Sequence, residues 1–339
     1  AANRKAGSPL RPDELAALVR PRSAPWTVSD VPILDECEEL LGPMPSSSTT
    51  SREAEEGAIE RAREAIEAQN LGGGIVTAQM LAEQVAGQDT WTPLSERAAK
   101  DRTWAYGHIV VDEAQELSPM AWRALLRRCP SRSFTVVGDL DQRRGSKRPP
   151  SWEKALGPAA RALAAEYALT VSYRTPATLT TLAEGVVARA GVPVLYPMTA
   201  VRDVEDCYRV THVDAPEDAP ASSKENSPLW RAVAQAQGEA EERLDREAGT
   251  SRGRIALIVG KERARTWGAD VDGETALSER VCLLSAVASK GLEFDSVILV
   301  EPAEILGDGV GDLFVALTRA THDVHVVHCA PLPAGMEEW

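Results

Sequence analysis

The 339 residues contain no G-x-x-x-x-G-K-[ST] segment, the backbone loop and lysine that commonly cradle a nucleotide's phosphates. Gly260-Lys261-Glu262 lacks the hydroxyl residue, and Gly72-Gly73-Gly74 is followed by no lysine. Nucleoside triphosphates are therefore expected to bind poorly to this chain alone. Long apolar runs are also missing. None approaches the ~20 residues that span a bilayer, and the polar start AANRKAGSPLRPDE has no apolar signal region. This excludes a membrane segment of that kind, and the chain reads as cytoplasmic. Five cysteines (Cys37, Cys129, Cys207, Cys282, Cys329) form no CxxC pair, which speaks against a zinc site or a disulfide framework and for free, buried thiols. Positive charge is scarce: 37 Lys and Arg stand against 51 Asp and Glu, a formal net charge of −14. Phosphate backbones are gripped mainly by Lys and Arg, so contact with nucleic acid is expected to be weak or indirect.

What is present is helical and acidic at first. Residues 1–100 place apolar or Ala residues at helical spacing in PDELAALVR, in Pro32 to Leu41, in SREAEEGAIERAREAIEAQN and in TAQMLAEQVAG, with no convincing strand. Pro21 to Pro25, MPSSSTTS and Gly72 to Gly74 separate these stretches. The segment carries 16 Asp and Glu against 10 Lys and Arg. Such charge marks solvated helix faces, or it repels nucleic acid or mimics it toward a basic partner.

From Thr103 strands and helices alternate. Strands are expected over Leu169 to Tyr173, Cys207 to Val213, Arg254 to Val259, Val281 to Ala286 and Ser296 to Glu301, with Asp323 to Cys329 closing the sheet. Helices are expected from Thr175-Pro176 to Ala190 and over Pro228 to Ala248. This alternation predicts a doubly wound α/β domain over 151–339. The one dense basic cluster, Arg143, Arg144, Lys147 and Arg148, lies in a Gly/Pro-rich loop and is either a solvated linker or a nucleotide or nucleic-acid contact.

The chemistry concentrates in Gly107 to Gln142. Ile109-Val110-Val111 delivers Asp112 and Glu113, and Phe134 to Val137 delivers Gly138, Asp139 and Gln142. Between them Ser118 suits an N-cap, Pro119 a first helical turn, and Pro130 a stop after Cys129. Strand, helix, strand gathers polar residues at the strand ends, where open parallel sheets bind ligands. An acid pair there suits nucleotide hydrolysis: one carboxylate holds Mg²⁺ and the other orients or deprotonates water, although a plain turn uses the same residues. Gln142 could sense a γ-phosphate. Arg174, after a strand and before a capped helix, is a surface guanidinium or a finger to that phosphate. Gly291 permits a close backbone approach, and Glu293 contacts a ribose or finishes the turn. Arg319, among apolar residues of an expected helix, needs a partner, and a phosphate is one candidate. His322, His325, His328 and Cys329 do not make a metal set, because alternation on a strand turns His325 away from the other two histidines. Trp104, Trp122 and Trp152, nearest these motifs, read as packing residues.

DEAQ, GDLDQ, SYRT, SKGLEFD and VALTRA follow the order of the second to sixth motifs of superfamily 1 helicases of the UvrD/Rep/PcrA type, and the chain resembles that family over residues 104–329. The resemblance implies RecA-like doubly wound parallel sheets of the α/β class, preceded by an all-α segment. It also implies an ATPase with ATP and Mg²⁺ as cofactors. In that frame Asp112 holds Mg²⁺ through water, Glu113 is the catalytic carboxylate, and Gln142 couples the γ-phosphate to DNA or to domain movement. Arg174 and Arg319 would be arginine fingers, and Asp139, Gly291 and Glu293 would lie at the nucleotide.

Departures are informative too. Ser172-Tyr173-Arg174 stands where these helicases have Asn-Tyr-Arg, and Gln142-Arg143-Arg144-Gly145 where they have Gln-Ser-Ile-Tyr, so a tyrosine expected at a base or nucleotide is missing. DVPILDECEELLG, VVDEAQELSPMAWRALLRRCPSRS and VSYRTPA resemble the actinobacterial branch of HelD-like ATPases, which act on RNA polymerase. That resemblance assigns residues 1–100 to the end of a helical insertion, 101–148 to the rest of a first RecA-like domain, and 149–339 to a second. It implies RNA polymerase core as partner, release of bound nucleic acid, a link to rifamycin resistance, and a phosphate loop upstream in the same polypeptide. A UvrD-type helicase fragment and a non-catalytic interaction module are the alternatives.

Overall fold

The computed structural model describes residues 11, 13, 16, 19–21, 23–42, 98, 101, 104–145, 148–214, 227–269 and 278–337. The helical stretches expected over 51–70 and 77–87, most of the one over 12–20, and Lys147 lie outside these residues. The chain forms two compact units, Ala1–His108 with Met120–Ser133, and Ile109–Pro119 with Phe134–Trp339.

In the first unit, α1 (Val31–Leu41) carries the acids Asp35 and Glu36. The body of α2 (Pro119–Arg128) answers with Arg123 and Arg127, which pair with them. Pro119 opens α2 as expected, and Trp122 is its fully buried anchor.

The second unit holds three parallel sheets. β1 (Ile109–Val111) pairs with β2 (Phe134–Val136). After the short α3 (Trp152–Leu156), β3 (Val171–Ser172) pairs with β4 (Thr199–Ala200), with α4 (Ala177–Arg189) between them. The third sheet contains β5 (Tyr208–His212), β6 (Ile255–Val259), β7 (Val281–Ser285), β8 (Phe294–Val300) and β9 (Ala320–His328), in the order β5-β9-β8-β6-β7. Its helices are α5 (Pro228–Glu247), α6 (Lys261–Trp267), α7 (Pro302–Asp308) and α8 (Val310–Thr318).

Alternation along these strands explains why helices cover both faces. Ala256, Ile258, Val297 and Leu299 join a core with Leu179, Leu182 and Val186 of α4 and Leu313 and Phe314 of α8. Their neighbours Ile255, Leu257, Val259, Ile298 and Val300 join a second core with Leu229 and Val233 of α5 and Trp267 of α6. A parallel sheet buried on both faces reads as continuous β-branched runs, and the expected α/β class is the one observed.

Three details differ from expectation. β9 does not close the sheet; it lies between β5 and β8, with Val324, Val326 and Val327 fully buried. Strand order depends on where the crossovers pack, which periodicity does not encode. Thr175 does not cap α4: its hydroxyl donates to the Thr318 carbonyl at 3.3 Å, and Asp203 receives the Thr178 amide at the helix start instead. Arg319 sits just past the end of α8 rather than within it. Among the described residues, no helix is long and apolar enough to cross a membrane.

Candidate nucleotide site

The C-terminal ends of β1 and β2 deliver the acids side by side. Asp112 follows β1 directly, is exposed, and takes the Glu113 amide on Oδ1 at 2.8 Å. Glu113 holds φ at 49°, a left-handed backbone that a non-glycine residue adopts only under local constraint. Its backbone is bonded on both sides, the amide to Asp112 Oδ1 and the carbonyl to the Glu116 amide at 3.0 Å, and its carboxylate is engaged by the side chain of Gln115. That side chain is fully buried, donates through Nε2 to Glu113 Oε2, and accepts the Asp139 amide on Oε1 at 3.0 Å. One amide thus joins the ends of the two strands. Gly138 makes room for it, because a Cβ there would overlap Gln115 Oε1 and come within 2.8 Å of the Trp152 ring.

Asp139 continues the chain of contacts. Oδ1 receives the Asp141 amide at 2.9 Å, and Oδ2 receives Gln142 Nε2 at 2.9 Å. Burial pushes the Asp139 carboxyl above its ordinary pKa, while its hydrogen bonds and Arg319 pull the other way. The Gln142 amide oxygen receives Arg319 Nη2 at 3.3 Å, and its backbone oxygen receives Lys290 Nζ. Lys290 also pairs with Glu116 at 2.7 Å and is nearly buried. The turn between β7 and β8 is thereby tied to the segments following β1 and β2.

Arg319 is the most unusual group in the cluster. It is 5% exposed and gives its second Nη to the Leu292 carbonyl at 3.4 Å, while its buried Nε has no partner. It makes no ion pair among the described residues. Burial lowers its pKa, Arg174 adds to the fall, and Glu113, Glu293 and Asp139 oppose it. A guanidinium held out of water beside neutral oxygens is a site for an anion to bind.

Arg174 and Glu293 pair with each other in an exposed position. Gly291 holds φ at 72°, and a Cβ there would meet nothing within 4 Å, so its backbone faces open space. The basic loop is not a solvated linker. Arg143 donates to the Gln115 carbonyl at 2.6 Å, Arg144 reaches Glu116, and Arg148 pairs with the largely buried Asp141.

Seven of the residues expected at a site therefore gather in one region: Glu113, Asp139, Gln142 and Arg319 through the bonded chain, and Arg174, Glu293 and Gly291 around it. Asp112 stands at the same strand end and meets the others through the Glu113 backbone amide, which its Oδ1 accepts. Sequence reasoning misses Gln115 and Lys290, although DEAQ and SKGLEFD contain them. The available signal is a long polar side chain two residues beyond an acid pair, which must either face solvent or find buried partners. His322, His325 and His328 go separately to Glu247, Thr211 and the Ala330 carbonyl, and no metal-holding cluster occurs among the described residues.

No family model matches the chain, and no curated protein matches it. Among solved structures it is similar to the Arterivirus nonstructural protein 10 helicase, with 17% identity, a TM-score of 0.36, and coverage of 69% of this chain and 41% of that one. The same helicase in a complex with DNA gives 18% identity, a TM-score of 0.35, and coverage of 66% and 40%. The C-terminal domain of a possible DNA helicase from Lactobacillus plantarum WCFS1 gives 17% identity, a TM-score of 0.29, and coverage of 49% and 92%. The chain spans about two fifths of the length of the arterivirus structures.

Proposed function

We propose that this chain is the motor portion of an ATP-hydrolysing, helicase-like factor. The observation that carries this is Arg319, a buried guanidinium without an ion-pair partner among the described residues, bonded through Gln142 and Asp139 to the segment that holds Glu113. Residues from the ends of three strands and one helix converge there, as an anion-binding hydrolytic site requires. The orphaned Arg319 Nε and the exposed Asp112 carboxylate fit a magnesium-bound triphosphate. When bound, Mg²⁺ neutralises developing charge on the phosphates. Asp112 would hold the ion through water, and Glu113 would orient the attacking water and accept its proton. Arg319, and Arg174 once released from Glu293, would steady the γ-phosphate. Gly291 leaves its backbone open toward the ligand. The phosphate cradle is supplied by another part of the same polypeptide.

The finer reading is a HelD-like factor that binds the core of bacterial RNA polymerase and releases bound nucleic acid. Its support is the ordered motifs, the actinobacterial HelD-like segments and the net charge of −14, which suits a basic nucleic-acid channel better than a nucleic acid. On this reading 1–100 ends a helical insertion, 101–148 completes one RecA-like domain, and 149–339 forms another. Affinity purification of the full-length protein is expected to recover polymerase subunits. Salt-sensitive strand binding with unwinding and no polymerase would replace this partner with DNA. Glu113→Gln is expected to lower ATP hydrolysis about 10²- to 10⁴-fold while sparing nucleotide binding, measured by phosphate release and by equilibrium binding. A wild-type protein that hydrolyses no ATP even with polymerase would sink the enzymatic reading.

A further inference from the structure

We propose that Gln115 is a positioning residue, which locks the Glu113 carboxylate to the end of β2 and so sets the direction in which it faces water. This deepens the hydrolytic reading and rests on it. Gln115 is fully buried, and both ends of its amide are engaged: Nε2 on Glu113 Oε2, and Oε1 on the Asp139 amide at 3.0 Å. The orientation of this amide is fixed. Turning it over would set NH₂ against the Asp139 N–H and oxygen against a carboxylate oxygen, so the backbone of the β2 end decides which face Glu113 meets. The bond occupies Oε2 and leaves Oε1 of Glu113 for a water. Gln115 is a neutral donor, so it steers the carboxylate without giving it the charged partner that a lysine or arginine would supply. Glu113 itself has a left-handed backbone, at φ 49°, and its carboxylate is fixed at the other end by Gln115. Gly138 belongs to this device, since any side chain there would take the space of Gln115 Oε1.

The arrangement has a mechanical consequence. Asp139 holds Gln142, and Gln142 holds Arg319. Movement of the β2 end on ligand binding therefore reaches the Glu113 carboxylate through one rigid amide.

The test uses Gln115→Met, which keeps the volume and removes both bonds. On this chain, the Asp139 amide is expected to exchange its hydrogen about tenfold faster in the variant, while amides of the five-stranded sheet keep their wild-type rates. In the full-length protein, kcat for ATP is expected to fall about 10- to 100-fold with KM for ATP changed less than about twofold. Gly138→Ala is expected to give the same split. Wild-type kcat in both variants, or a loss confined to KM, overturns the role of Gln115; if Glu113→Gln is still silent, the hydrolytic reading stands. Full hydrolysis by Glu113→Gln removes that reading and this inference with it.

Discussion

The five-stranded sheet and the β1–β2 pair are built from the same kind of β-branched run and have opposite surroundings. Ile298, in the middle of β8, is 0% exposed, whereas Val110, in the middle of β1, is 68% exposed. The large sheet has helices on both faces, and the polar groups inside it are few and buried, such as His325 bonded to Thr211. The small pair has one well-buried residue, Val111, and puts almost all of its specificity into the residues beyond its strands: two acids, a buried glutamine and a tight glycine. One region carries most of the apolar core, and the other holds its acids in place through hydrogen bonds rather than apolar packing. The candidate site depends on the large sheet nonetheless, because Lys290 comes from the β7–β8 connection and Arg319 from the end of α8, just before β9.

Matched truncations test this contrast most severely. Ile298→Ala is expected to cost about 2–5 kcal/mol in denaturant unfolding, because it leaves a cavity between packed layers. Next in size is Arg319→Met. Removing a buried charge that has no ion-pair partner among the described residues is expected to stabilise the ligand-free chain by about 1 kcal/mol while abolishing anion-dependent function, read by melting temperature and by phosphate release. A destabilised Arg319→Met variant would show that this arginine is structural and blur the contrast.

Asp139 gives a smaller, pH-dependent effect. Burial raises its carboxyl in the fold, so the native state holds a proton that the unfolded chain gives up near pH 3.8. Its contribution is complete below that pH and is lost as pH rises through the raised value. Asp139→Asn is expected to remove this part of the stability–pH curve, seen as a difference from wild type that grows across the same window. The smallest effect belongs to Val110→Ala, within about 0.5 kcal/mol as for an exposed position. A cost as large as that of Ile298→Ala would mean that β1 is packed in solution as tightly as β8.

The large sheet was readable because a β-branched run buried on both faces has few other places to go. Arg254 to Val259, Val281 to Ala286 and Ser296 to Glu301 each shifted by only one or two residues in the structure. The acids were readable from their position after an apolar run. What escaped was set by distant partners. Lys290 meets Glu116 across 174 positions, and Arg319 meets Gln142 across 177. No local pattern announces such a pair. Gln115 was hidden for a related reason: its function comes from the Asp139 amide and the space at Gly138, which exist only after β1 and β2 pair in register. Thr175 misled because capping is judged from neighbours in sequence, while Asp203 competes from another loop.

The internal place of β9 bears on how the protein is made. Of the nine strands described, it is the last to leave the ribosome, yet β5 touches the sheet only through it. Until residues 320–328 emerge, β5 has no strand to pair with, and β8 presents an open apolar edge to solvent. Synthesis therefore reaches the most consequential pairing late, across about 110 residues of intervening chain, which favours slow closure and exposes nascent chains to aggregation and chaperone capture. A stop codon just before β9 would leave β8, β6 and β7 as a three-stranded sheet and strand β5 without its partner.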